Sequence, residues 1–538
     1  MSKAQTKQPA AGRRLLRSTT VVGAMTLLSR VLGLVRDVVF ARFFGAGIVM
    51  DAFFVAFKIP NIFRRFFAEG AFSQAFVPVF TEYDERQSRP EVQELVDRVA
   101  GTLGIALFGV TLAGVLAAPL LIAVFAPGFI AGAEAGGDRY GLAVAMLRLT
   151  FPYLLFISLA ALAGGILNTY QRFAAPAFAP VLLNLCLILF AAGIAPRTAD
   201  PGIALAAGVF VAGALQLLFM LPFLARLKIL PRPRWGWRHP GVRRVLGLMA
   251  PVIFGASVAQ VNILFDTLIA SFLATGSISW LYYSDRLMEF PLGVFGIALA
   301  TVILPNLSRQ HAAQSADEFS ATLDWAVRLV ALIAVPATVG LAVLAGPLLA
   351  TIFYGGRFGA GDVAMARISL VAYALGLSGF ILVKVLAPGF FARQDTRTPV
   401  RIGVLALLVN MGLNLLLVLP WLHFGLPGPH AGLACATSLA AFLNAGLLWR
   451  GLVRDGAWRR TPGWGRFLAQ VLVAAGLMGG VLVWLLPDTP AWLAAGLLER
   501  CAWLAAAVAG GAALYALALL LAGVRPGQLL LRRRQAPL

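Results

Sequence analysis

Asp51, Lys58 and Arg65 stand seven residues apart in the stretch DAFFVAFKIPNIFRRFFAEGAFSQAFVPVF (51–80), and Glu69 follows four residues later. At 100° per residue these four side chains fall within about 40° on one helix face. The rest of the stretch is apolar enough for a bilayer, where a central charge costs at least about 2.5 kcal/mol by insertion scales. Arg30 and Asp37, also seven apart, share a face. Between residues 18 and 80, six positive side chains (Arg30, Arg36, Arg42, Lys58, Arg64, Arg65) oppose three negative ones (Asp37, Asp51, Glu69), a net of +3. Charges stacked on one stripe face a polar interior, not lipid. Ion pairing between helices, Asp51 with Lys58 or Asp285 with Arg286, is the competing reading, and it leaves arginines in surplus. Buried guanidinium without a partner is costly, so the surplus calls for an anionic guest. Guanidinium forks match phosphate oxygens in pairs. Arg286, Glu289 and Lys384 add charge further along the chain.

The elements that must position these groups are membrane helices. Of 538 residues, 60% are hydrophobic and 12% charged, against about 25% charged in a soluble chain. Apolar runs of about 20 residues predict fourteen spans: 18–43, 49–81, 98–125, 140–167, 175–195, 202–225, 245–273, 279–308, 322–353, 363–391, 399–420, 431–450, 466–486 and 493–523. The formal net charge of +21 lies mostly in short loops, which is the positive-inside pattern rather than a nucleic-acid footprint. Arg172, the run RLKILPRPRWGWRHPGVRR (226–244), Arg309, Arg393, Arg397, Arg401, Arg450, Arg454, Arg459, Arg460, Arg466 and the tail arginines all fall on one side when both termini are cytoplasmic. The segment after the basic N-terminus holds Arg30 and Arg36 and has no small-residue cleavage site, so it is not read as a signal peptide.

LAAPLLIAVF (116–125) and LAGPLLATIF (344–353) are identical at six of ten positions, at an offset of 228. Pro78 and Pro305, at the ends of spans 2 and 8, stand 227 apart; Gln171 with Pro176 and Gln394 with Pro399 stand 223 apart. The expected fold is therefore an all-α polytopic membrane protein with two six-helix repeats. A pseudo-two-fold along the membrane normal relates them around a central cavity, and two extra helices follow. The division is a cytoplasmic N-terminus (1–17), an N-lobe (18–226), a basic linker (227–244), a C-lobe (245–453), two further spans (454–524) and a basic tail (525–538). At the 227 offset Arg30 aligns with Ser257 and Arg36 with Ile263, so the scaffold repeats while its charge does not.

Little else carries chemistry. Cys186, Cys435 and Cys501 lie in separate apolar runs and read as small core residues. The four histidines form no ligand set, and no phosphate loop, acidic metal pair or nucleophile–base set is present. An enzyme is not expected, and no cofactor is. Membrane potential is worth about 2.3 kcal/mol per charge per 100 mV, and the basic cavity could respond to it. Asp266 is an isolated intramembrane carboxylate, and on the residues alone its bland reading is a protonated hydrogen-bond donor to a neighbouring helix.

The stretches SRVLGLVRD (29–37), DAFFVAFKIPNIFRRFFAEGAFSQAFVP (51–78), LYYSDRLMEFPLGVFGIALATVILP (281–305) and KVLAPGFFARQDTRTPV (384–400) closely resemble the MurJ/MviN lipid II flippases of the multidrug/oligosaccharidyl-lipid/polysaccharide exporter superfamily. The resemblance runs over nearly the whole chain. It implies translocation of lipid II, undecaprenyl-diphosphate-MurNAc-pentapeptide-GlcNAc, from the inner to the outer leaflet of the bacterial cytoplasmic (inner) membrane. Substrate-binding charges carry over to Arg30, Arg36, Asp51, Arg64, Arg65, Glu69, Arg286 and Lys384, and spans 13 and 14 to a groove for the lipid tail. Some members have a sodium site in the helix that holds Asp266, with a further acidic ligand where Asp395 stands; Phe391 falls where a polar ligand is expected. A functional monomer is expected, with the cell-wall synthesis machinery as a further partner. The alternative is export of another lipid-linked oligosaccharide; a cationic-drug exporter would favour an acidic, aromatic cavity.

Overall fold

The computed structural model describes residues 8–65, 71–131 and 138–524; the side-chain surroundings of residues 8–19, 71, 254–259 and 297 are not described. The described residues are helical but for turns and one isolated bridge, Gly355 to Phe358. Eleven of the described helices are long and apolar enough to cross a membrane. The chain divides into two compact units, 1–276 and 277–538.

The first unit holds α1 (Gln8–Phe44), α2 (Ile48–Arg64), α3 (Ala71–Arg86), α4 (Arg89–Leu116), α5 (Ala118–Phe125), α6 (Gly128–Ala131), α7 (Arg139–Thr150), α8 (Tyr153–Thr169), α9 (Ala174–Leu189), α10 (Pro201–Arg226) and α11 (Pro240–Ser271). Helix α11 packs against α3, α4, α5 and α6, so it belongs by contact to the first unit. Its end meets Gly128 closely: a Cβ there would stand 2.3 Å from the Ser271 backbone, and the Gly128 N–H donates to Ser271 Oγ at 3.0 Å.

Within the expected span 49–81 the described residues form α2 (Ile48–Arg64) and α3 (Ala71–Arg86), and residues 66–70 lie outside the described residues. Pro78 lies inside α3, which runs on through the polar TEYDER segment. Span 98–125 is two helices, α4 and α5, joined at Ala117 (φ −82°, ψ 7°). Pro119 supplies the break, since it has no N–H for the helix ladder and restricts the residue before it.

The second unit holds α12 (Ser277–Pro291), α13 (Ile297–Ala312), α14 (Ala316–Val343), α15 (Ala345–Ile352), α16 (Ala360–Phe391), α17 (Arg397–His423), α18 (Ala431–Arg454), α19 (Trp464–Leu485), α20 (Thr489–Ala494) and α21 (Leu497–Leu521). A π-turn over 292–296 follows Pro291 and joins α12 to α13. Helices α14 and α15 bend at Leu344 (φ −86°, ψ 6°), 227 residues after Ala117. Gln171 and Gln394 both adopt left-handed backbone (φ 59° and 62°) where α8 and α16 end. The next N–H donates five residues back in each case, Arg172 to Leu167 at 2.8 Å and Asp395 to Phe390 at 3.1 Å. Such a left-handed stop satisfies the last carbonyls of a helix. Helices α19 and α21 pack on α14 through Val471, Ala475, Met478, Leu482 and Tyr515, whose hydroxyl donates to the Leu332 carbonyl at 2.8 Å.

Candidate functional site

On α1, Arg36 and Asp37 are both buried. Arg36 Nε and Nη2 donate to Asp37 Oδ1 at 3.0 and 2.7 Å, and Nη1 donates to Asn184 Oδ1 of α9 at 3.1 Å. Asn184 Nδ2 in turn donates to the Ser29 carbonyl at 3.0 Å. The guanidinium also stands over the Phe40 ring, 5.5 Å from its centroid. This pairing is why two adjacent charges persist inside a helix bundle: each offsets the other's burial and each has hydrogen-bond partners. Arg30, a turn and a half earlier, is exposed and has no hydrogen bond or ion pair among the described residues.

The stripe on α2 meets α11 and the turn that follows it. Asp51 is 1% exposed, and its Oδ2 accepts from the Gly276 N–H at 2.7 Å. Lys58 Nζ donates to Thr267 Oγ1 at 2.9 Å. Arg65 Nη1 donates to Gln260 Oε1 at 3.2 Å. The stripe is thus one face, and neutral polar groups answer it at each of these three steps. Among the described residues the backbones of α2 and α11 pack little against each other, so long side chains span the seam. Arg64 is partly buried at the end of α2. Asp266 is half-buried on the same helix as Thr267, and Asn262 Nδ2 donates to its Oδ2 at 3.3 Å. Glu69 lies outside the described residues.

In the second unit Arg286 Nη1 donates to Glu289 Oε2 at 2.9 Å, and Nη2 to the Tyr282 hydroxyl at 3.1 Å. Lys384 is exposed on α16. Asp395 lies in the turn between α16 and α17, where its Oδ1 accepts from the Thr398 N–H at 3.0 Å. Hydrogen bonds from Thr398, side chain then backbone, hold its carboxyl below the usual range. The described residues contain no group of three or more His, Cys, Asp or Glu placed to hold a metal. Asp266 belongs to the first unit and Asp395 to the second.

Two further carboxylates escaped the reading by charge and spacing. Asp97 of α4 is buried; it accepts from the Arg232 N–H at 2.8 Å and from Gln93 Nε2 at 2.7 Å. Gln93 also donates to the Leu230 carbonyl, and Arg98 Nη1 to the Trp235 carbonyl at 2.6 Å. The basic linker is therefore strapped along α4, with Trp235 and Trp237 stacked and exposed. Asp324 of α14 is buried as well. It accepts from the Trp458 and Trp464 indoles at 3.2 and 2.6 Å, from the Thr461 hydroxyl, and from Arg328 Nε at 3.2 Å. The two lie 227 residues apart, which is the signal that could have found them.

Buried charge inside helical bundles, in a chain with eleven described helices long and apolar enough to cross a membrane, fits a polytopic membrane protein of the transport class. The comparisons agree in kind. The family model "Lipid II flippase MurJ" matches residues 40–502. A probable lipid II flippase MurJ of Vibrio cholerae is 49% identical over 516 residues, covering 95% of this chain and 97% of the relative. The lipid II flippase MurJ of Burkholderia cenocepacia is 43% identical over 507 residues, covering 93% and 96%. A solved lipid II flippase MurJ in an inward closed conformation superposes with a TM-score of 0.75 at 25% identity, over 93% of this chain and 98% of that one. An inward-facing multidrug resistance MATE transporter of the MOP superfamily shares the fold at a TM-score of 0.64 and 12% identity. The chain belongs to the lipid II flippase MurJ family.

Proposed function

We propose that the chain is a lipid II flippase. It moves the undecaprenyl-diphosphate-linked peptidoglycan precursor from the inner to the outer leaflet of the bacterial cytoplasmic membrane by alternating access. The reading is carried by family membership across residues 40–502. A flippase moves its substrate without covalent change, so no catalytic residue is assigned. The protein spans the membrane fourteen times with both termini cytoplasmic and works as a monomer. The two six-helix repeats, 18–226 and 245–453, are supported by the matched bends at Ala117 and Leu344 and the matched helix stops at Gln171 and Gln394.

The diphosphate is received by Arg30, Arg36, Arg64, Arg65, Arg286 and Lys384, with Asp51 and Glu69 orienting the sugar headgroup. Arg36 and Arg65 each donate to a neutral carboxamide, Asn184 and Gln260. In those bonds only the donor is charged, whereas a bond to diphosphate is charged on both sides and takes the guanidinium as a bidentate fork. An arriving diphosphate therefore displaces the carboxamides favourably. Arg30, without a polar partner among the described residues, makes the first contact. Spans 13 and 14 form the apolar groove for the tail.

Depletion of the protein in cells should leave lipid II synthesised but held on the inner leaflet, measured by its accessibility to an outside-acting hydrolase. Normal exposure of lipid II after depletion would refute the function. Coupling rests on Asp266, which binds Na+ or H+ under the membrane potential. Asp266→Asn should slow transport and remove any sodium dependence, because the amide has no charge to offer. Wild-type rates at both high and low sodium would return Asp266 to a hydrogen-bonding role.

A further inference from the structure

The second unit contains a cavity of about 520 Å³ walled by α14, α16, α18 and α19. Its depth is apolar, from Val330 and Val335 of α14, Leu386 of α16 and Ala445 of α18. Its wall near the loop is aromatic, from Trp449, Trp458 and Trp464. Asp324 fixes two of these rings by accepting both indole N–H groups, so the wall is held in place by the buried carboxylate. A second cavity of about 570 Å³ shares Gly446, Trp449 and Arg460 with the first and adds Arg450 and Arg454.

Arg450, Arg454 and Arg460 are exposed, and among the described residues none has a carboxylate within ion-pair distance. The nearby Asp455 is taken by Arg393 at 2.6 Å. Arg460 lies over the Trp449 ring, 4.3 Å from its centroid, which holds its guanidinium at the mouth. The site is thus an apolar slot of ordinary ligand size with three cations at one end. Its chemistry matches an amphiphile with one anionic phosphate head and an acyl chain. Each Lys or Arg near an anionic leaflet contributes about 1 kcal/mol of attraction.

We infer that this slot binds an anionic phospholipid of the surrounding leaflet, with its phosphodiester on Arg450, Arg454 and Arg460 and one acyl chain against Trp458 and Trp464. The inference goes beyond the transport reading and needs only that the chain spans a bilayer. Phosphatidylglycerol is the probe.

The test uses the full-length protein, purified and delipidated in detergent. It is titrated with phosphatidylglycerol carrying brominated acyl chains, and separately with the phosphatidylcholine counterpart, while tryptophan fluorescence is read. Saturable quenching by phosphatidylglycerol is expected at a concentration about a hundredfold lower than by phosphatidylcholine, the order set by three cations at about 1 kcal/mol each. The triple variant Arg450→Gln, Arg454→Gln, Arg460→Gln should lose that preference. Gly446→Leu is a second, gentler variant: a Cβ at Gly446 meets nothing within 4 Å, so the side chain fills the slot without a clash. It should abolish saturable quenching by both lipids and leave the helical circular dichroism unchanged. Equal quenching by both lipids in the unmodified protein would overturn the inference, as would a preference that survives in both variants. Displacement by millimolar inorganic phosphate would make this a free-anion site. Displacement by undecaprenyl diphosphate at lower concentration than by unbrominated phosphatidylglycerol would give the slot to the transported lipid. Either displacement refutes the phospholipid.

Discussion

Asp97 of α4 accepts from a backbone N–H and a carboxamide, while Asp324 of α14, 227 residues later, accepts from two indoles, a hydroxyl and a guanidinium. Both carboxylates are buried, and both pin the loop that trails their half of the chain. The first clasp grips main chain, so the strap it holds, 230–236, depends little on which side chains it carries. The second clasp grips side chains, and in doing so sets a tryptophan wall beside a cavity. On the proposed repeat, one fastening point is kept while what it fastens changes. Charge follows the same pattern: at the 227 offset Arg30 and Arg36 of α1 are met by Ser257 and Ile263 of α11.

The largest effects should fall on the charged copy. Arg30→Ala should abolish complementation of a depleted strain, with normal membrane insertion, since nothing in the described fold leans on that side chain. Arg36→Ala should abolish complementation too, but it should also lower the melting temperature, because Asp37 at 0% exposure loses its counter-charge. Loss of a buried partner costs about 3–5 kcal/mol. Full complementation by both variants would remove the diphosphate role from α1, and the asymmetry would then have no functional meaning.

Next come the clasps themselves. Asp324→Ala leaves Arg328 and two indoles without their acceptor, and should destabilise the second unit by about 3–5 kcal/mol. Asp97→Ala removes acceptors for a peptide N–H and a carboxamide that are closer to water, at about 1–3 kcal/mol. Denaturation followed by tryptophan fluorescence measures both. Equal losses would mean that the two clasps differ in residues but not in strength.

The smallest effect concerns the matched helix stops. Asp395 follows Gln394, and the corresponding residue after Gln171 is Arg172. The carboxyl of Asp395 is held below its usual range by Thr398. A lowered folded pKa gives stability that is present above the unfolded carboxylate pKa and lost as pH falls through the folded one. Thr398→Val should remove the side-chain part of that stabilisation and slightly flatten the acid limb of the stability profile. The group is partly exposed at a surface turn, so solvent screens it and the change is small. An unaltered acid limb would show that the turn is held by backbone alone.

Much of this architecture was legible in composition and period. Eleven apolar helices follow from hydrophobic runs, and the stripe of Asp51, Lys58 and Arg65 was readable because seven residues are nearly two helical turns. The bend shared by Ala117 and Leu344 was visible as a repeated Leu-Ala-x-Pro segment, though not as a bend. The partners were harder to see. Asn184, Gln260 and Thr267 are uncharged and lie 148, 195 and 209 residues from the cations they accept from. A count of charges sees a surplus where the structure has neutral acceptors. Asp97 and Asp324 sit at the polar ends of apolar runs, where a carboxylate looks like an ordinary helix-end charge until the offset between them is noticed.

The seam between α2 and α11 has a mechanical consequence. Its three polar links recur every seven residues, or about 10.5 Å along α2; two join α2 to α11, whose backbones scarcely touch, and the third, Asp51, reaches Gly276 in the turn after α11. Such a seam works like a zip with three teeth on one edge. Turning α2 about its own axis by half a revolution unseats every tooth together, while tilting it from one end opens them in order. A hydrated headgroup entering beside Arg65 would start at one end tooth, and Asp51, buried against Gly276, would be the last to let go.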